Sequence, residues 1–181
     1  MIPYGAVIAY SSILAQEKGL LSYLPYFYIC LVIGMLVSKL SAQKMLDAGN
    51  HRILVYLSLV IPVVTMVSYI ALSTGIHLLI AGFFFGVGYG ILQPLFQSFV
   101  TGTTPAPKRG VANATYMLSY DIGIGIGSLL MGCLQESIGL PKGFALTAIA
   151  YVIGGVVYAT YVDRYYREQK TRYLQSVSQS R

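Results

Sequence analysis

The chain of 181 residues has no tryptophan, two cysteines, two histidines and six acidic residues. Each scarcity closes off a class of function. His51 and His77 bracket a single apolar run and so fall at opposite ends of it. A Ser/His pair or a histidine-rich ligand set inside the apolar segments therefore cannot be assembled, and neither an enzyme nor a metal or other cofactor is expected. Cys30 and Cys133 each lie inside an apolar run with no metal-ligand spacing, which suits small apolar packing residues. Charge is scarce as well: 10% of residues are charged, against about 25% in soluble domains. The net charge of +6 comes from lysines and arginines scattered through short polar stretches. No basic patch forms, so no nucleic-acid partner is expected.

What the chain has in quantity is apolar sequence, 56% of its residues, arranged in long runs. The fold class expected is an all-α membrane protein with six transmembrane helices at residues 2–15, 20–40, 53–72, 76–100, 110–134 and 143–162. These make one bundle over 1–163, followed by a polar cytoplasmic tail at 164–181. The first run spans only about 20 Å as a helix, short of a hydrocarbon core of roughly 30 Å. It also lacks the basic start of a signal peptide, so it reads as the latter part of a spanning helix. Tyr23, Tyr26 and Tyr28 suit an aromatic belt at the membrane interface, and Pro62 in mid-span implies a packed bundle. If the six runs alternate across a membrane, Lys39, Lys44, Arg52, Lys108, Arg109, Arg164, Arg167, Lys170, Arg172 and Arg181 share one side. Only Lys18 and Lys142 take the other. By the positive-inside rule the first group is cytoplasmic, so a multi-pass protein of the cell (inner) membrane with a cytoplasmic C-terminus is expected.

The fourth run contains GFFFGVGYGILQPLFQ, with Gly82, Gly86 and Gly90 at i, i+4 and i+8 and with Gln93 and Gln97 continuing the stripe. Small residues at this spacing let helix backbones approach closely. The glutamines then have two readings: interhelical hydrogen-bond partners within a packing seam, or residues lining a substrate path opened by Pro94. The glycines follow no strand and lack the spacing of a dinucleotide fingerprint.

The fifth run, KRGVANATYMLSYDIGIGIGSLLMG, carries the one carboxylate in the middle of an apolar segment, Asp121. On a helical wheel Val111, Leu118, Ile122, Ile126 and Leu129 form an apolar strip. Asn113, Tyr116, Tyr120, Gly123 and Gly127 gather opposite, with Asp121 and Ser128 on one flank of that arc, turned from lipid toward the bundle interior or a water-filled cavity. Asn113, Tyr116 and Tyr120 are thus substrate-path candidates, and Gly123 and Gly127 packing candidates. A carboxylate in hydrocarbon costs on the order of 2.5–3.5 kcal/mol on insertion scales. Asp121 is therefore a candidate for proton coupling or substrate binding, the alternative being a structural carboxylate that bonds a neighbouring helix. Lys108 and Arg109 are either interface anchors or a cytoplasmic gate pair. Asn113-Ala114-Thr115 matches a glycosylation sequon but sits at the cytoplasmic interface and is set aside.

The GFFFGVGYGILQP pattern, the loop ending PKRGVANAT and the glycine-rich LSYDIGIGIGSLLMG resemble the C-terminal half of a major facilitator superfamily transporter, above all its bacterial drug-efflux-like members. The resemblance covers nearly the whole chain, from about residue 4 to residue 168. It implies half of that superfamily's bundle, its seventh to twelfth helices, working by alternating access against a second half. The implied function is efflux of a small organic molecule, an antiport driven by protons across a lipid bilayer. Its partner is a missing N-terminal half or a second copy. In SAQKMLDAGNHR the family's loop motif is incomplete: Asp47 and Gly49 stand one residue too close and the basic residue between them is absent. Two further functions remain open, a self-assembling six-span transporter or channel subunit and a non-transporting scaffold.

Overall fold

The computed structural model describes residues 1–47 and 51–162, without the side chains of 43–47, 51 and 162. The polar loop around Asp47 and Gly49 and the tail at 164–181 thus lie outside the residues whose side chains are described. Helices α1 (Ile2–Glu17), α2 (Leu24–Asp47), α3 (His51–Ser68), α4 (Gly75–Gly102), α5 (Arg109–Ile138), α6 (Leu140–Thr147) and α7 (Ile149–Val157) follow in order, and no strand occurs among the described residues. Among the described residues five helical segments are long and apolar enough to cross a membrane: Leu21–Ala42, Arg52–Ala71, Gly75–Gly102, Ala106–Ile138 and Leu140–Tyr161. The 16-residue α1 falls short of that length. Within the Leu140–Tyr161 segment the helix is interrupted at Ala148, which keeps αR backbone angles, between α6 and α7.

Helix α4 is the centre of the bundle, packing on α2, α3 and α5, while α1 lies along α5 and reaches α6. Glycine sets the closest approaches. A side chain at Gly82, Gly86 or Gly90 would run into Phe27, the Leu31 carbonyl, or Ser38 and the Met35 carbonyl of α2; one at Gly34 of α2 would strike the Phe83 carbonyl in return. Along α5, Gly127 receives the Ile2 carbonyl, Gly123 faces Met1, and Gly5 of α1 meets Ile124. The i, i+4, i+8 stripe of α4 is therefore the α2 contact. Pro62 adds a third close fit, its ring lying against Gly88.

The outer surface is what a lipid-facing bundle requires. Ile29, Val32, Ile33, Leu36, Val37 and Leu40 of α2 are exposed at helical spacing. The opposite face buries Phe27 and Leu31. Val111, Leu118, Ile122, Ile126 and Leu129 are likewise exposed on α5. In water such continuous apolar faces would drive association. Buried serine and threonine hydroxyls are satisfied within their own helices: Ser58 donates to the Val55 carbonyl at 2.8 Å, Thr65 to Ile61 at 2.8 Å and Thr147 to Phe144 at 2.9 Å. That local bonding removes the cost of placing them in an apolar interior.

Candidate functional site

The polar residues of α4 and α5 meet along one seam. Gln97 donates its side-chain amide to the Asn113 side-chain oxygen at 2.7 Å, and Tyr116 donates its hydroxyl to the Gln93 carbonyl at 3.0 Å. Tyr120 lies one turn further along α5, its ring 6.4 Å from that of Tyr89 on α4. The structure thus brings the side chains of Gln97, Asn113, Tyr116 and Tyr120 to one seam, which Gln93 joins through its backbone carbonyl. It also ties Gln97 to Asn113, so this pair holds α4 against α5 at the same time. In a low-dielectric setting such a pair fixes helix rotation as well as contributing energy.

The sequence reading passed over two members of this cluster, Tyr4 and Tyr89. Tyr4 of α1 stacks on Tyr89 at 3.7 Å with planes 8° apart, and Phe85 lies beyond at 6.3 Å. Tyr89 is buried, and its hydroxyl has no hydrogen-bond partner among the described residues; the same holds for Tyr151 of α7 and Tyr69. Buried tyrosines usually find a partner, so these hydroxyls mark places where the bundle interior has unused hydrogen-bonding capacity. The available signal was Tyr89 standing between Gly86 and Gly90, a polar-tipped ring beside a packing stripe.

Asp121 stands apart from the seam. Its side chain is exposed, with no hydrogen bond or ion pair to any described residue. Of the two settings expected for it, the bundle interior or a water-filled cavity, the described helices do not supply the first: the 100° step from half-buried Tyr120 carries it beyond the arc that α1 and α4 cover. Ala114 and Gly125, on the same flank of α5, are exposed as well. Ser128 remains half-buried, donating to the Gly5 carbonyl at 3.2 Å and to the Ile124 carbonyl at 3.0 Å.

Lys108 and Arg109 are exposed where the fourth loop enters α5, and Arg109 donates through Nε to the Thr104 carbonyl at 3.2 Å. Two cations at a helix N-terminus oppose the helix dipole. Helix formation therefore does not account for their position. At the other end of α4, Thr74 accepts from the His77 backbone at 3.3 Å, and His77 Nε2 lies 3.3 Å from the Ser68 hydroxyl.

No curated protein and no solved structure matches the chain. A family model described as Major Facilitator Superfamily matches residues 3–177.

Proposed function

This chain belongs to the Major Facilitator Superfamily, and on that premise we propose that it works by alternating access as one six-helix half of a proton-coupled exporter of small organic molecules. Membership makes it a multi-pass membrane transport protein whose surroundings are a lipid bilayer and whose cargo is a small molecule. The proton coupling, the outward direction and the location in the cell inner membrane with a cytoplasmic C-terminus belong to the proposal.

The observation that carries the coupling is Asp121, a carboxylate midway along a 30-residue helix, exposed and unpaired among the described residues. Contact with hydrocarbon there would cost on the order of 2.5–3.5 kcal/mol. A flank that also presents Ala114 and Gly125 is better suited to a water-lined path against a second bundle, where the acid can exchange a proton and substrate can pass. That second bundle is an N-terminal half or another copy of this chain. The Gln93, Gln97, Asn113, Tyr116 and Tyr120 seam then holds α5 at a fixed rotation, so that Asp121 stays on the path.

Proteoliposomes containing the complete transporter test this by monitoring internal pH as substrate is added. We expect Asp121→Asn to abolish substrate-driven proton movement and Asp121→Glu to retain part of it. Unchanged proton flux in Asp121→Asn would remove Asp121 from the mechanism.

A further inference from the structure

A cavity of about 210 Å³ lies inside the bundle where α3, α4, α5 and α7 converge beside the first turn of α1. Its wall includes Leu59, Leu92, Phe96, Tyr116, Tyr151 and Gly154. Packed protein interiors leave few voids larger than a water molecule. An apolar cavity of about 150 Å³ stays dry and takes up benzene, so the space here admits a larger ring. We propose that this cavity is a binding site for a small neutral aromatic molecule, separate from the path at Asp121.

Three features of the wall select that class. No lining side chain is charged, so a charged ligand would lose its hydration without a side-chain counter-ion, and burial disfavours the charged form of the Met1 α-amino group at the wall. Phe96, Tyr116 and Tyr151 present three rings, which favour an aromatic guest through offset or edge-to-face contact. Tyr116 already spends its hydroxyl proton on the Gln93 carbonyl, and the Tyr151 hydroxyl is itself shut away from surrounding space. Recognition therefore rests on shape and on the ring faces. Access runs past Ala150 and Gly154 of α7, both only half-buried. Gly154 lines the cavity, and a side chain added there would meet nothing within 4 Å, so a larger residue fits at this position.

Because the chain has no tryptophan, indole emission can be followed against it without protein background. Indole is titrated into the purified protein in lipid nanodiscs, with empty nanodiscs measuring its partition into lipid. We expect one saturable site per chain above that partition. Gly154→Leu, which places a side chain in the open space, should weaken the saturable component at least tenfold. Gly102→Leu makes the same change at another helical glycine with open space around it, away from the cavity, and should leave binding intact. Linear partition alone, or saturable binding that survives in Gly154→Leu, overturns the proposal. Equal loss in Gly154→Leu and Gly102→Leu overturns it too, since the effect would then follow helix substitution and not cavity filling.

Discussion

Asn113 and Asp121 show how differently two polar residues of one helix can be used. Asn113 is half-buried and engaged by Gln97 at 2.7 Å, whereas Asp121 is exposed with nothing to bond among the described residues. The first arrangement resembles membrane-helix hydrogen bonds whose measured coupling averages about 0.6 kcal/mol and reaches about 1.7 kcal/mol. We therefore expect a double-mutant cycle on Gln97→Leu and Asn113→Leu, read by reversible unfolding in mixed micelles, to give a coupling of roughly 0.5–1.5 kcal/mol. Coupling near zero would mean that the two amides find equally good partners apart. Truncating Asp121 removes no contact visible in the bundle, so Asp121→Asn should leave that unfolding curve unchanged while altering transport. This separation of stability from function distinguishes a coupling carboxylate from a structural one.

At the scale of the helix, the glycines of α4 and α5 divide by what faces them. Gly86 lies against the Leu31 carbonyl of α2, a backbone group that cannot move aside. Gly86→Ala should therefore destabilise the protein by about 1–3 kcal/mol, the usual range for overpacking. Gly125 faces open space. Gly125→Ala should be neutral or stabilise by up to about 1 kcal/mol through helix propensity. Thermal melts of the two variants in detergent make the comparison, and equal loss in both would dismiss the close α2–α4 contact as its cause. The spacing of Gly82, Gly86 and Gly90 made this seam legible, because a repeat of four returns to one helix face. Which helix fills it was not legible, since α2 contributes the single glycine Gly34 and otherwise presents ordinary side chains. The wheel separated the apolar strip of α5 from its polar arc, yet it carries no information on how far α1 and α4 wrap around that arc. For that reason the wheel left Asp121, at the margin of the arc, between the bundle interior and a water-filled cavity. The break at Ala148 has no local proline or glycine to announce it.

For the molecule as a whole, charge and hydrophobicity must agree on one orientation. The apolar faces of α2, α3 and α5 are exposed together, so the bundle meets lipid on several sides, and its ends are fixed by the polar segments between helices. Lys108 and Arg109 stand at the entry to α5, whereas Lys18 follows α1 and Lys142 lies in the first turn of α6. Helix α5 runs for 30 residues, about 45 Å at 1.5 Å per residue. That length crosses the hydrocarbon core and both interfaces, so Lys108 and Lys142 emerge on opposite sides. On the proposed orientation the positive-inside rule makes the Lys108 side cytoplasmic. With Cys30 and Cys133 replaced by alanine, single cysteines at Lys18, Lys108 and Lys142 can be labelled in intact cells by a membrane-impermeant maleimide. Lys18→Cys and Lys142→Cys should label at once, and Lys108→Cys only after the cells are permeabilised. The reverse pattern would invert the bundle and place the Lys108–Arg109 pair outside.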